Sequence, residues 1–347
     1  MDTLINVLED FNQIEFHYIF SDDTEHSLDA YTRNACEKEF LNFMKTISSE
    51  LGISVEINAE PKKEGSLIDW YSIFSKANEI NIPAYASLVI SIFAIIFSAK
   101  TKDEKRGQKL DNLIKQTDLI QKIEELKKQG LKIPLDAQKY IDKICNSRKL
   151  DKQKSNFFKK LSNQKNIKKI EISGTNKELA EKRLSFEIPR SDFEDYYLDS
   201  DDLKSIIDNK AEIEVISPVL KNGNYTWRWI YIKENLSHEY TMKDKDFKKK
   251  VIEESLSFQN GTRLECELEI CRKLDDNGDE FNSGYKINKV FNQYVGDAVT
   301  EMPSGKKRRQ KAEMEKNQPS LFDENDFNKG KELWNQYQFQ SRWCSIL

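Results

Sequence analysis

Ile80–Ala99, INIPAYASLVISIFAIIFSA, is the stretch whose reading decides the architecture of this chain. It contains no charged side chain and ends against Lys100, in a sequence that is 33% charged. Twenty helical residues at ~1.5 Å rise cover about 30 Å, the hydrocarbon thickness of a bilayer. A core helix that is hydrophobic all round is the competing reading, but it needs a large surrounding core. Neither flank reads as supplying one, so the expectation is a membrane-type helix over residues 80–100. Pro83 fits the first turn, where its missing N–H costs nothing. Lys100, Lys102, Lys105, Arg106 and Lys109 follow at once and, by the positive-inside rule, place the C-terminal side in the cytoplasm. The same rule sends residues 1–79 outside, although MDTLINVLEDFNQ has no signal-peptide pattern. A conditional or shallow insertion removes that conflict.

Charge also breaks at this point. Residues 1–99 carry 6 basic and 16 acidic side chains, whereas residues 100–170 carry 21 and 9. The overall balance of −4 over 347 residues hides that asymmetry, and 38% hydrophobic content argues against more than one span. Five cysteines (Cys36, Cys145, Cys266, Cys271, Cys344) are odd in number and lack metal-ligand spacing, which favours reduced thiols in a cytosol-facing protein.

Outward from the apolar run, the pattern predicts an α+β chain. Residues 12–20 and 53–60 read as strands around a helix over 27–51, with Ser27 as N-cap and Gly52 as the C′ residue, a small β-α-β unit. Residues 66–76 read as an aromatic-rich helix, with Trp70 and Tyr71 either at headgroup level or packed on that sheet. Basic helices are expected over 101–130, 135–146 and 152–162. Strand patterns start at Ile167 and continue through KNG and DNG hairpin signals, with a short helix near 246–254. The expected domains are a small α/β unit over 1–79, the membrane helix over 80–100, and a basic coupling segment over 101–165. An antiparallel β-rich ligand-sensing domain over 166–300 follows, and then a linker and hydrophobic tail over 301–347.

Catalytic chemistry has little footing in this sequence. His17, His26 and His238 lie in no nucleophile or zinc motif, there is no glycine-rich phosphate loop, and Asp275, Asp276 and Asp279 lack the calcium-loop spacing. No cofactor is expected, and the chain reads as a binding protein rather than an enzyme. On 225–233, Tyr225, Trp227, Trp229 and Tyr231 share one pleat face, either a stacking platform for bases or simply core, with Arg228 on the other face. Lys243, Lys245 and Lys248 nearby, and Lys306, Lys307, Arg308 and Arg309 further on, are candidate phosphate contacts, or else solvated charge. Gln318–Phe322, QPSLF, is similar to the peptide that docks on bacterial sliding clamps; CSIL at the C-terminus fits the prenylation pattern formally, but a packed hydrophobic C-terminus with Trp334, Tyr337, Phe339 and Trp343 is the preferred reading.

A short unit containing HSLDAYTRNACEKEFL comes first, then IPAYASLVISIFAIIFSAK and basic helices, then a β-rich domain with NGNYTWRWIY and FQNGTRLECELEI. In that order of segments the chain resembles the transmembrane effectors of bacterial anti-phage defence systems, the Hailong type in particular. The resemblance implies a homo-oligomer, favoured as a tetramer, in the bacterial inner membrane, whose single spans form an ion-conducting pore. It also implies that single-stranded deoxyadenylate oligomers, made by a partner nucleotidyltransferase, bind the cytosolic domain and hold it inactive. In such a pore Tyr85, Ser87 and Ser91 would face the axis, with Leu88, Ile92 and Ile95 toward lipid or neighbouring helices. Two other readings stay open: a membrane-anchored scaffold that recruits a protein partner, and a soluble nucleic-acid-binding oligomer with residues 80–99 buried.

Overall fold

A computed structural model describes residues 12–22, 24, 27–52, 54–60, 67–75, 82–98, 100, 120, 121, 123, 124, 127, 128, 137–175, 182–221, 223, 225–253 and 256–317. The chain is α+β and divides into two compact units, Met1–Leu203 with Arg272–Phe281, and Lys204–Cys271 with Asn282–Leu347.

The first unit is built on an antiparallel sheet of order β2-β3-β1-β4-β5. Its strands are β1 (Gln13–Phe20), β2 (Val55–Glu60), β3 (Ile68–Ser75), β4 (Ile167–Thr175) and β5 (Lys182–Pro189). Register puts Ile14 opposite Tyr71 and Gly174, and Phe16 opposite Asp69 and Ile172, so one pleat face carries the apolar set. Helix α1 (Ala30–Leu51) covers that face with Cys36, Phe40, Phe43, Met44, Ile47 and Leu51. Its N-cap is Asp29, whose carboxylate accepts the Thr32 N–H at 2.8 Å, two residues beyond the expected Ser27. Gly52 ends it in the left-handed region at φ 66°, as the sequence predicts. Arg33 forks onto Asp69 of β3, and Glu39, buried, pairs with Lys160.

The apolar run is helix α2 (Ile82–Ser98), and here the structure departs from expectation. It packs against β3 and α1, and Leu88–Ala94, Ile96 and Phe97 are buried while Ile95 is partly covered. Phe93 and Phe97 lie between two helices. On one side Phe40 and Phe43 of α1 stand 5.5 and 5.6 Å from Phe93; on the other, Phe157 and Phe158 stand 5.1 and 5.4 Å from Phe97. The latter pair belong to α4 (Arg148–Leu161), which follows α3 (Ala137–Cys145). No helix among the described residues is long and apolar enough to cross a membrane. Leu88, Ser91 and Ile92, expected at a pore axis or lipid face, therefore lie in a protein core, and the side chains of Tyr85 and Ser87 fall outside the described residues. The core around α2 is larger than its flanks suggest, because β4 and β5, assigned from sequence to the C-terminal domain, complete the N-terminal sheet.

Residues 68–75 correct a second expectation. They form strand β3 instead of a helix, because Asp69, Tyr71 and Ile73 repeat at period two on the covered face. A 3₁₀ helix (Arg190–Tyr196) closes this unit, with Phe193 and Tyr196 packed on Phe158. Most of 101–130, and all of 318–347 with the clamp-like peptide and the prenylation pattern, fall outside the described residues.

The second unit is a barrel. Its strands are β6 (Asp202–Ser217), β7 (Trp227–Tyr231), β8 (Leu236–Met242), β9 (Arg263–Leu274) and β10 (Glu280–Val295), with β11 (Ala298–Glu301) added on β10. The order β10-β8-β7-β6-β9 closes through a β9–β10 pairing, and β8 runs parallel to β10. Helix α5 (Lys245–Glu253) connects β8 to β9 and contributes Phe247 and Val251 to the interior. Helix α6 (Pro303–Asn317) occupies what the sequence suggests is a linker. The β9–β10 turn, 275–279, is organised by Asp275, whose carboxylate accepts N–H groups of Asn277 and Asp279 at 2.8 Å each. That hairpin tip belongs to the first unit, where Gln153 and Asn156 of α4 donate to the Asn277 and Asp276 carbonyls.

Phe93→Ala should lower the stability of the first unit by about 3–5 kcal/mol in a urea titration, the usual cost of emptying a buried aromatic site. A loss under about 1 kcal/mol would place Phe93 outside the core.

Candidate ligand-binding cleft

The aromatic face of β7 is turned inward. Trp227, Trp229 and Tyr231 are buried in the barrel, with Trp227 5.5 Å from Trp229 and 5.9 Å from Phe247. A stacking platform at these three positions is thus corrected to core, since a closed barrel of five strands fills its interior with large side chains. Arg228 points outward on the same strand, its Nε 3.4 Å from Ser237 Oγ. Tyr225, before the strand begins, remains exposed.

The basic residues divide. Asp244, buried at the start of α5, accepts from Phe247 N–H at 3.0 Å with one oxygen, and from Val290 N–H at 2.8 Å and Ser304 Oγ at 3.1 Å with the other. One carboxylate thereby fixes the start of α5, strand β10 and the start of α6. Gly305 makes the approach of α6 possible: a Cβ there would stand 2.3 Å from the Phe291 carbonyl oxygen, so only glycine fits. Between α6 and the outside of the barrel a cleft of about 500 Å³ results.

Its walls are Asn209 of β6, Glu267 of β9, Lys289 and Phe291 of β10, and Ser304, Lys307, Arg308, Lys311, Ala312 and Glu315 of α6. Its four cations each lie within 4 Å of a carboxylate, Lys311 being 3.8 Å from Glu315, so an anion would bind by exchanging these partners. The Arg308 guanidinium sits 4.3 Å from the Phe291 ring centroid and 3.1 Å from Glu265, which fixes its plane. Lys289 pairs with Glu267 at 3.2 Å, while Lys307 stays largely exposed, 3.6 Å from Asp246 of α5. Such a lining can hold a phosphate-bearing anion, with mobile ammonium groups around one planar, preoriented guanidinium.

Of the residues singled out from sequence, Lys307 and Arg308 line the cleft. Arg309 faces away to Glu301 and Glu313, whose carboxylates raise its affinity for its proton, and Lys306 is not among the lining residues. Lys243 and Lys245 are exposed, Lys248 is partly covered, and none of the three makes an ion pair among the described residues. Lys289, Lys311, Asn209 and Phe291 escaped notice. Period-two alternation from Tyr285 and Ile287 would carry Lys289 inward; the phase breaks before buried Val290 and turns Lys289 out, and nothing local says that a helix will lie over it.

Elsewhere, burial pushes the Cys36 thiol up to about 12, so it stays protonated at neutral pH. His238 stacks on Tyr285 at 4.0 Å and meets Glu234, and His17 meets Glu171. No group of three or more metal-ligating side chains occurs among the described residues. Comparison with family models, curated proteins and solved structures finds no match for this chain.

The Tyr231 hydroxyl, 2.6 Å from Asp208, holds that carboxyl below its ordinary range. Its contribution to barrel stability is complete above about pH 4 and is lost as pH falls through the lowered folded-state value. Tyr231→Phe should therefore be less stable than the parent near neutral pH, with the difference in melting temperature shrinking by about pH 3. A constant difference would mean that the bond does not titrate.

Proposed function

We propose that this chain is a membrane effector of bacterial antiviral defence which stores its apolar helix inside the first unit and releases it to form an ion-conducting homo-oligomeric pore, a tetramer by resemblance. The cleft on the second unit is the sensor. Its ligand is an anionic nucleotide or single-stranded deoxyadenylate oligomer supplied by a partner nucleotidyltransferase, and the protein works at the bacterial inner membrane. One observation carries the reading: α2 has no charged side chain, is apolar all round, and belongs to an uncharged run of twenty residues that matches a bilayer once freed. A cleft of about 500 Å³ with four cations in its lining adds support, since such groups can exchange their carboxylate partners for phosphates. Fold analogy by itself sets no function.

The burial of Leu88–Phe97 favours a second reading, in which α2 is a permanent core helix and the chain is a nucleic-acid-binding oligomer that never enters a membrane. Ile95 separates the two, because it is partly covered and tolerates change better than buried Ile92. Ile95→Lys should keep the fold, with melting temperature within a few degrees of the parent, yet abolish membrane depolarisation in expressing cells. A lysine at a bilayer centre costs about 2.5–3.5 kcal/mol, and one at Ile95, roughly 8 Å from the midpoint of the run, costs less but still disfavours insertion. Depolarisation by the parent that the folded Ile95→Lys protein loses supports the pore, depolarisation that the variant retains rejects it, and a parent that leaves the membrane potential intact leaves the second reading.

The cleft is tested separately. Lys307→Glu combined with Lys311→Glu should weaken binding of a single-stranded deoxyadenylate oligomer by about tenfold or more and flatten its salt dependence. Unchanged affinity places the ligand elsewhere.

A further inference from the structure

The C-terminal end of α2 is held differently from its middle. Lys100, two residues past Ser98, places its ammonium 2.8 Å from Asp192 and 2.8 Å from Asp195, both on the 3₁₀ helix. Asp192 also accepts the Ser191 hydroxyl at 2.9 Å. The two carboxylates, Asp192 first, raise the Lys100 proton affinity, and Lys100 in turn lowers that of Asp192. Beneath them Lys154 of α4, 2% exposed, donates to the Ile96 carbonyl at 3.2 Å and lies 3.6 Å from Asp151 and 6.0 Å from the Tyr196 ring. Both cations stand where the helix dipole of α2 is negative. The buried turns of α2 are held by ring packing and its end by charge.

We propose that Lys100, Asp192 and Asp195 form an ionic clasp which keeps the end of α2 seated, and that a phosphate-bearing anionic surface opens it by taking Lys100 from the two aspartates. The clasp is accessible for such an exchange: the side chains of Lys100, Asp192 and Asp195 are 25%, 31% and 42% exposed. Lys154 is not, so it remains with α4 when the outer contact breaks. Lys100 also opens the basic stretch of residues 100–170, and a polybasic segment of this kind is drawn to anionic headgroups. The same ammonium thus has two alternative anionic partners, one in the protein and one at a phosphate surface. Ion pairs this exposed have modest strength, so the clasp biases an opening equilibrium by roughly fivefold and does not lock it. This opening step rests on the stored-helix reading, whereas the clasp itself does not.

Hydrogen exchange of amides 88–97 in the full chain tests both. Asp192→Asn combined with Asp195→Asn should exchange roughly fivefold faster than the parent, and raising salt from about 0.05 to 0.5 M should accelerate the parent but not the variant. Lys100→Gln, which leaves the 3₁₀ helix intact, should match the double variant, and Lys100→Arg should behave as the parent. Unchanged exchange in folded Lys100→Gln overturns the clasp. Phosphatidylglycerol vesicles should bring the parent to the variant's rate, while phosphatidylcholine vesicles, and inorganic phosphate at matched ionic strength, should not. Equal acceleration by inorganic phosphate overturns the role given to a surface. Clasp opening on anionic vesicles without dye leakage keeps the clasp and rejects the pore.

Discussion

The first unit depends on the insertion of Phe93 and Phe97 between α1 and α4, above the apolar face of the sheet. Phe16 of the central strand β1 touches this group from below, 6.0 Å from Phe93 and 5.9 Å from Phe157. Each ring pair adds about 0.5–1.5 kcal/mol to the burial of its surface. Because the rings come from β1, α1, α2 and α4, elements far apart in the chain, no one of them forms a core alone. The ion pairs Arg33–Asp69 and Lys160–Glu39 tie α1 to β3 and α4, each matching a buried carboxylate with a partly exposed cation.

The second unit is organised by polar constraint. Asp244 ties three elements through three hydrogen bonds, and the cleft exists because α6 begins where that carboxylate and the bare Gly305 backbone allow it. Cations on α6 divide accordingly. Those facing the barrel, Lys307, Arg308 and Lys311, line the cleft, while Arg309 on the far side is satisfied by Glu301 and Glu313.

Much of the local structure was legible in the residues. Gly52, the DNG turn, the strands flanking it, and the helices near 148–161 and 245–253 follow from caps, periodicity and turn chemistry. The aromatic alternation of Trp227, Trp229 and Tyr231 correctly put them on one face, but periodicity cannot tell an inward face from an outward one. The same limit governed α2. Its composition is equally suited to lipid and to a core, and only the long-range pairing of β4 with β1 reveals that a core of sufficient size exists. Residues 68–75 were misread because large apolar residues on both pleat faces, Trp70 and Phe74 on one, Tyr71 and Ile73 on the other, mimic a helical cluster. The cleft was half legible: Lys307 and Arg308 stand out as charge, whereas Lys289 and Phe291 become site residues only when α6 folds over them.

A core helix that is apolar on every side is compatible with two environments, a protein interior and a bilayer, and the proposed pore requires α2 to pass from one to the other. An environment-sensitive fluorophore on a single cysteine at position 95, in a background without the native cysteines, measures which environment α2 occupies when combined with a lipid-borne quencher. The account predicts no quenching of the resting protein in the presence of phosphatidylcholine vesicles, and strong quenching in anionic vesicles as they begin to leak. Leakage with the fluorophore still unquenched would contradict it.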